Sequence, residues 1–218
     1  MTPSDRTEAD SCVSGLTPVL GCSGSPRKGG NSDLLLRAAL DGAAQGGAAG
    51  FAAHLPDYRF DPCVGCEQCR TAKACTRLQD GMQLLYPRVQ AAHGLILACP
   101  THNYNVTAWM KAFIDRLYCF YDFDMQARPR TWGSRLAGQG RVAVVMAVCE
   151  QESSDDMGVT LEAMTRPLQA LGYEVLDQLA VLRIFDKAGV RDDRESLERA
   201  HALGQILGQR VASLVDGQ

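Results

Sequence analysis

Two continuous apolar runs constrain the fold of this chain more than any other feature. Residues 94–100 read GLILACP, and residues 141–148 read RVAVVMAV. Both runs are too short to cross a bilayer, which requires about 20 apolar residues. Short runs without polar alternation are typical of strands covered on both faces. The sequence therefore predicts a parallel sheet lying between two layers of helices.

Other segments of the chain alternate with these two strands. Three further strands are predicted over residues 18–22, 51–57 and 174–182, and helical periodicity covers 32–47, 80–92, 107–121, 155–171 and 192–215. Asn31 or Ser32 is expected to cap the first helix, and Gly46 with Gly47 to end it. Pro87 weakens the second helical pattern, and Pro167 should kink or split the fourth.

This alternation predicts a single three-layer α/β domain over residues 17–218. The polar, acidic residues 1–16 are expected to form a disordered tail that is not a signal peptide. The net charge of −3 argues against nucleic acid as a partner, and no apolar run is long enough for a membrane span. We expect a cytoplasmic protein, in which structural disulfides are rare.

Three loops follow carboxyl ends of the predicted strands, where sheets of this type bind ligands: 23–32, 100–106 and 149–156. The first loop, SGSPRKGGNS, offers hydroxyls, an arginine and backbone amides at a helix start. Such a set favours a phosphate group. The loop fits neither the dinucleotide fingerprint nor the P-loop pattern. A solvated turn with a helix cap is the alternative interpretation.

Four cysteines are crowded into CVGCEQCRTAKAC, residues 63–75. Their CxxCxxCx5C spacing shares its first two gaps with the bacterial ferredoxin run, whereas zinc sites usually separate two cysteine pairs by a longer gap. Arg70, Lys73 and Arg77 place positive charge beside the thiols. We therefore expect Cys63, Cys66, Cys69 and Cys75 to bind a 4Fe–4S cluster, with zinc or free thiols as the alternatives.

The loop CSGSPRKGGNS, the later Pro100 and the helical AWMKAFIDR together resemble the NAD(P)H-dependent FMN reductase branch of the flavodoxin-like proteins. With the cysteine motif after the second strand, the chain is similar to the iron–sulfur flavoproteins of that branch. The resemblance runs over residues 18–182. It implies a flavodoxin-like fold with strand order 2-1-3-4-5 and FMN as cofactor.

The resemblance also implies positions for the cofactor. Ser25, Arg27, Asn31 and Ser32 would hold the phosphate, with Ser23 as a further hydroxyl donor. Loop residues at two further strand ends would line the flavin ring: Pro100, Thr101, His102, Asn103, Tyr104, Asn105 and Cys149. His102 stands where the family often has an aromatic residue, and Tyr104 where a glycine is usual. His102 is either a packed loop residue or a proton donor near the flavin.

Several residues have more than one interpretation. Cys149 either approaches the flavin or packs in the core, while Cys22, Cys99 and Cys119 are expected to be buried and Cys12 inert. Arg128, Arg130, Arg135 and Arg141 are expected to be a solvated surface, or else a docking patch for an acidic carrier. Phe120, Tyr121, Phe123 and Trp132 form either a local aromatic cluster or a contact with another subunit.

A flavin next to an iron–sulfur cluster converts between one-electron and hydride chemistry. We therefore predict an oxidoreductase that transfers electrons between a ferredoxin-like carrier and an acceptor. The first alternative is an NAD(P)H-dependent FMN or quinone reductase whose cysteine loop holds zinc or nothing. The second is a redox-sensing or zinc-knuckle scaffold without turnover. A homodimer or homotetramer is expected.

Overall fold

The computed structural model describes residues 18–216, and the side chains of residues 18–214. The tail predicted over residues 1–16, with Cys12, lies outside this range. Among the described residues, no helix has both the length and the apolar character needed to cross a membrane.

Five parallel strands form the central sheet: β1 (Val19–Ser23), β2 (Gly50–His54), β3 (Gly94–Pro100), β6 (Val142–Val148) and β7 (Glu174–Val181). Their order across the sheet is β2-β1-β3-β6-β7. In register, Val19 of β1 pairs with Gly50 of β2 and Gly94 of β3, and Gly94 pairs with Val142 of β6. When only the strands of this sheet are numbered, the order is the predicted 2-1-3-4-5, and the flavodoxin-like expectation is confirmed.

Helices cover both faces of the sheet, as parallel strands buried on two sides require. The helices are α1 (Asn31–Gln45), α2 (Cys69–Ala72), α3 (Tyr86–Ala91), α4 (Ala108–Arg116), α5 (Thr160–Ala170) and α6 (Arg194–Asp216). Alternate strand residues face opposite layers: Leu95 and Leu97 belong to the core beneath α3, α4 and α5, whereas Ile96 belongs to the core beneath α1 and α6.

Helices α1 and α6 pack backbone to backbone through glycine. A Cβ on Gly42 would lie 2.0 Å from the His201 carbonyl oxygen, and one on Gly204 would lie 1.8 Å from the Ala39 carbonyl oxygen. Any larger residue would therefore force the two helices apart. This close packing fixes α1, whose first turn forms part of the candidate site.

Short 3-10 turns account for most differences from the predicted helices. The segment predicted over 80–92 is divided into a 3-10 turn, Gly81–Leu84, and α3, which has Pro87 in its first turn. Proline is tolerated there because a helix's first amides have no partner within the helix. The helix predicted over 107–121 is α4 followed by the 3-10 turn Leu117–Phe120.

Two further 3-10 turns account for the other differences. The turn Leu55–Tyr58, with Pro56 as its second residue, ends the second strand earlier than the predicted residue 57. The helix predicted over 155–171 starts as the 3-10 turn Ser154–Met157, and α5 then continues through Pro167 without being split. Pro167 was predicted to kink the helix or to split it; the helix is not split there, and the kink stays a prediction.

A two-stranded antiparallel hairpin, β4 (Tyr121–Asp124) and β5 (Thr131–Ser134), was not predicted. It lies between α4 and β6, in a segment interpreted as a connection. Its aromatic side chains pack on one another: the ring centre of Tyr121 lies 5.2 Å from that of Trp132 and 6.5 Å from that of Phe123. The local aromatic cluster is therefore present, whereas a contact with another subunit stays a prediction.

The expectation that Arg141 is solvated was wrong. Its side chain is buried and donates to the carbonyls of Val89, Gln90 and Ala92 at distances of 2.5–2.8 Å. The last carbonyls of a helix have no partner within the helix. Arg141 satisfies those at the end of α3, and its positive charge suits the negative end of the helix dipole.

Candidate functional site

A pocket opens where β1, β3 and β6 end, at the carboxyl edge of the sheet. Seven of the residues predicted to bind the cofactor line it together: Ser25, Arg27, Asn31, Ser32, Pro100, Thr101 and His102. The fold therefore brings the first two predicted loops to one place. Arg27 is exposed and makes no ion pair with any side chain in the described part of the protein.

The first turn of α1 is open toward this pocket. The helix begins at Asn31 with Gly30 as its N-cap residue, and no side chain caps it, so the predicted capping by Asn31 or Ser32 was wrong. The buried hydroxyls of Ser32 and Thr101 also have no hydrogen-bond partner. Buried polar groups are rarely left unpaired. A phosphate is bound by hydrogen-bond donors and positive charge. This pocket offers both, in its uncapped amides, two unpaired hydroxyls and an arginine without an ion pair.

Ser23 and Ser25 stabilise the loop by hydrogen bonds to other residues of the loop and of α1. The Ser23 hydroxyl donates to Asp33 Oδ1 at 2.5 Å and also accepts the Ser25 amide at 3.3 Å. The Ser25 hydroxyl accepts the Arg27 amide at 3.1 Å. Asp33 accepts the Gly29 amide at 2.6 Å and lies 3.2 Å from His54 Nδ1. Asp33 thus fixes the loop, a role the sequence reasoning missed although an acid in a helix's first turn is a recognisable signal.

Asn31 connects the phosphate loop to the segment after β7. Its Nδ2 donates to the Asp186 carbonyl at 2.9 Å, and its Oδ1 accepts the Val190 amide at 3.1 Å. Both ends of the amide are therefore engaged within the protein. This contact brings Phe185 and Lys187 to the pocket, which Glu150 also lines. Glu150 belongs to the predicted loop 149–156. The sequence reasoning missed Phe185 and Lys187, although their position after β7 satisfies the same strand-end rule.

Residues 102–105 form a tight turn beyond Pro100. The His102 amide donates to the Asn105 carbonyl at 2.8 Å, and the Asn105 amide returns a bond of 3.1 Å. Asn103 and Tyr104 both have positive φ, 47° and 63°. A tyrosine in this conformation is strained. Tyr104 stands where the family usually has a glycine, and its backbone has the conformation that glycine adopts most easily.

Gly158 holds this turn against the third predicted loop. Its φ is 53°, and a Cβ there would lie 2.3 Å from the Tyr104 carbonyl oxygen, which accepts the Val159 amide at 2.9 Å. The loops after β3 and β6 therefore form one wall. Cys149 does not line the pocket; it is 5% exposed and packs in the core beneath α5.

The four crowded cysteines line a second cavity, of about 390 Å³, in the loop after β2. Gly65, Glu67 and Lys73 all have left-handed backbone conformations, with φ between 56° and 64°. Each such residue reverses the local chain direction. The loop therefore curves around the cavity, and thiols separated by up to twelve residues in sequence face the same space.

The crowded donors of this cavity are thiol sulfurs, which suit iron–sulfur clusters and zinc. Within residues 18–216, no three Cys, His, Asp or Glu side chains are grouped tightly enough to hold a single metal ion. Burial raises the pKa of Cys69, and the nearby thiols of Cys75, Cys63 and Cys66 raise it further. The neighbouring thiols thus disfavour ionisation of Cys69, and a bound cation would favour it.

Cys119 is a fifth thiol in the wall of the cavity. It is 4% exposed, and burial raises its pKa to about 12, with smaller contributions from Cys69 and Cys75. The expectation that Cys119 is buried is therefore confirmed. Cys22 and Cys99 are also buried, as expected.

Three arginines hold the cysteine loop against the rest of the domain. Arg116 bonds Asp80 and the Asp61 carbonyl, which are at the two ends of the loop. Arg135 donates to the carbonyls of Lys73 and Cys119 at 2.6 and 2.7 Å, so its predicted solvated role was wrong. Arg70 donates to the Tyr118 hydroxyl at 2.9 Å.

Hairpin β4–β5 also contacts the cysteine loop. The Arg70 guanidinium carbon lies 5.0 Å from the centre of the Phe123 ring, and Lys73 forms an ion pair with Asp122. A cation over an aromatic face is an attractive contact. The hairpin missed by sequence reasoning therefore helps to hold the cysteine loop in place.

Comparisons with known proteins agree with this geometry. A family model described as NADPH-dependent FMN reductase matches residues 17–170. An iron–sulfur flavoprotein of Methanocaldococcus jannaschii is 37% identical over 98 residues, which are 45% of this chain and 50% of that protein. One from Methanosarcina thermophila is 36% identical over 98 residues, 45% of this chain and 51% of that protein. The matched segments thus span about half the length of these curated relatives.

A solved structure shares the fold at low sequence identity. An NAD(P)H:quinone oxidoreductase from Methanothermobacter marburgensis superposes with a TM-score of 0.66 and 18% identity, covering 88% of this chain and 97% of that one. The family match covers most of the chain and includes the phosphate loop, Pro100 and α4. The resemblance noted in the sequence is confirmed: the chain belongs to the NADPH-dependent FMN reductase family.

Proposed function

We propose that this protein binds FMN and a 4Fe–4S cluster and transfers electrons between a ferredoxin-like one-electron carrier and an acceptor. The observation that carries the proposal is the placement of two unlike donor sets at the same edge of one sheet. An open phosphate-binding helix start follows β1, and a cavity lined by four thiols follows β2. Curated relatives with matching segments are named iron–sulfur flavoproteins.

FMN fits the first donor set. The Ser32 and Thr101 hydroxyls, which lack partners, would donate to the phosphate, as would the first amides of α1. Arg27 would supply positive charge at the rim, while Ser23, Ser25 and Asn31 maintain the loop. The turn at 102–105 would flank the ring. Bound FMN supplies a redox centre that exchanges either single electrons or a hydride.

An iron–sulfur cluster fits the second donor set, in which Cys63, Cys66, Cys69 and Cys75 would be the ligands. All four line a single cavity, and four thiolate ligands suit iron–sulfur binding. The arginine contacts fix the two ends of the loop and its middle, so the thiols remain near one another without a disulfide. A cytoplasmic, reducing compartment follows from the same proposal.

Ferredoxin, NAD(P)H and further copies of the chain are the proposed partners. The family name indicates NADPH as a hydride donor, and His102 at the pocket is the candidate proton donor near the flavin. A homodimer or homotetramer is the expected assembly. No basic surface for nucleic acid is expected at a net charge of −3.

A second candidate function is an NAD(P)H-dependent FMN or quinone reductase with a structural zinc or an empty cysteine loop. The match to the NADPH-dependent FMN reductase family favours it. A non-catalytic redox-sensing or zinc-knuckle scaffold is a third reading, and protein that binds no flavin would support it.

Anaerobic reduction assays separate these functions. Reduced ferredoxin and NADPH are each mixed with FMN-loaded protein, and flavin reduction is followed by its absorbance. We expect the Cys66→Ser variant to keep FMN and lose reduction by ferredoxin, while Cys12→Ser, the control, retains both. Equal reduction of the two variants by NADPH, with no reduction of wild type by ferredoxin, would favour the second candidate.

A further inference from the structure

Lys187 is a second cation at the pocket that would receive the FMN phosphate. It lines that pocket together with Arg27 and Ser32, although it follows β7 and they follow β1. Like Arg27, it is exposed and forms no ion pair with any side chain of the described residues 18–214. Its charge is therefore available to a bound anion.

The segment after β7 that carries Lys187 is fixed on both sides of this residue. Before it, the Ile184 amide donates to the Cys149 carbonyl at 3.2 Å, which joins the segment to the loop after β6. After it, Val190 is fully buried in the core beneath α1 and α6. The fold therefore determines where the Lys187 backbone lies, and only the flexible side chain extends into solvent at the pocket.

Asn31 joins this segment to the phosphate loop. Its Nδ2 donates to the Asp186 carbonyl at 2.9 Å, and its Oδ1 accepts the Val190 amide at 3.1 Å. The two bonds are made on either side of Lys187 in sequence. Asn31 is also the first residue of α1, whose first turn no side chain caps. One side chain therefore holds the Lys187 backbone beside the helix start that would receive the phosphate.

The charge of a phosphate group shows why one cation is insufficient here. A phosphate monoester carries about 1.5 to 2 negative charges at neutral pH. Arg27 supplies one positive charge, and the start of a helix contributes the equivalent of about half a charge. The Glu150 carboxylate lines the same pocket and opposes a bound anion. Lys187 is the remaining lysine or arginine among the residues that line this pocket, and its charge compensates the deficit.

We propose that Lys187 is a further phosphate-binding residue for FMN and that Asn31 is its positioning residue. A lysine binds phosphate as a point charge on a flexible chain, so the contact requires a fixed backbone position but no fixed hydrogen-bond geometry. The contact favours FMN over riboflavin, which has the same ring and side chain without the phosphate. The inference rests on the proposed function, because it requires FMN to bind in this pocket.

The test compares FMN with riboflavin in fluorescence titrations of the full chain freed of flavin. In Lys187→Gln, the Kd for FMN should rise about tenfold, while the Kd for riboflavin should stay within about twofold of wild type. Lys187→Arg keeps the charge and should bind FMN as wild type does. Arg191→Gln is the matched control, because it removes an exposed cation that also follows β7 but does not line the pocket.

A double substitution tests the role of Asn31. Asn31→Ala should weaken FMN binding about tenfold in the wild-type background, because the segment that carries Lys187 is released from the phosphate loop. In the Lys187→Gln background the same change should weaken binding less than about threefold, since the cation that Asn31 positions is already absent. An equal loss in the two backgrounds would overturn the positioning role of Asn31.

The comparison of the two flavins separates this inference from the proposed function. Equal FMN affinities of wild type and Lys187→Gln would overturn the inference alone. An equal loss of FMN and riboflavin binding in Lys187→Gln would also overturn it, because a structural role would affect both flavins. Wild-type protein that has no preference for FMN over riboflavin, or that binds neither flavin, would overturn the FMN site of the proposed function, and this inference with it.

Discussion

Asp80 provides the sharpest test of how the cysteine loop is held. Its carboxylate accepts two bonds from Arg116, at 2.7 and 3.0 Å, and the amides of Asp61 and Met82, both at 3.1 Å. Asparagine at this position keeps one acceptor oxygen but presents an NH2 group to the guanidinium. The Asp80→Asn variant therefore leaves the buried charge of Arg116 uncompensated.

The magnitude follows from burial. Removing one partner of a buried ion pair costs about 3–5 kcal/mol. The Arg116 side chain is 1% exposed and that of Asp80 is 15% exposed, so solvent reaches one side of the pair. We therefore expect the lower end of that range, a loss of about 3 kcal/mol in the free energy of unfolding.

Urea unfolding followed by circular dichroism measures this loss. If the free energy of unfolding falls by about 3 kcal/mol per molar urea, the urea concentration at the unfolding midpoint should fall by about 1 M. Glu162→Gln is the matched control, because the side chains of its pair with Arg166 are 51% and 76% exposed. An exposed pair of this kind contributes about 0.5 kcal/mol or less.

Equal, small shifts in the two variants would refute the reasoning, because they would mean that Arg116 is solvated when its partner is removed. A changed urea slope in Asp80→Asn would indicate instead that the cysteine loop unfolds separately.

Three further predictions concern the same regions. Burial alone would raise the pKa of Asp80, but bonds from Arg116 and two amides lower it overall. The stability that ionised Asp80 contributes is therefore present above the unfolded pKa of about 3.9 and is lost as pH falls through the lower folded pKa. The urea midpoints of wild type and Asp80→Asn should therefore converge as pH falls from about 5 to about 2. Ser32→Ala should weaken FMN binding about tenfold in a flavin fluorescence titration, because a donor to the phosphate is lost. The control Ser153→Ala, which is outside the pocket, should bind FMN as wild type does. Equal affinities of the two variants would contradict the assigned phosphate site. Gly158→Ala should destabilise by about 1–3 kcal/mol more than Gly138→Ala in urea unfolding. Both glycines have positive φ, but only Gly158 has a backbone atom, at 2.3 Å, in the way of a Cβ.

The sheet was predictable because its signals are local. Runs such as 94–100 and 141–148 are apolar throughout, and their strands are buried on both faces as expected. The order of strands came from the resemblance to a known family. Residues lining the pocket near Ser25 and Pro100 were predictable because parallel strands bring their carboxyl ends to the same edge.

The missed features depend on contacts between distant residues. Arg141 resembles a surface cation in sequence, and only the end of α3 creates the carbonyls that bury it. Hairpin β4–β5 has short strands with exposed polar positions, and contacts between residues distant in sequence join it to the cysteine loop: Arg70 with Phe123, and Lys73 with Asp122. Asn31 seemed to be a phosphate ligand or a cap, yet it bonds Asp186 and Val190, more than 150 residues away in sequence.

Analysis of iron, zinc, acid-labile sulfide and FMN per chain, on protein purified without oxygen, tests the central claim most directly. Our account predicts about four iron and about four sulfide per chain, as a 4Fe–4S cluster requires, together with about one FMN. Zinc near one per chain with no sulfide would contradict the iron–sulfur assignment and leave a flavin reductase with a structural zinc site.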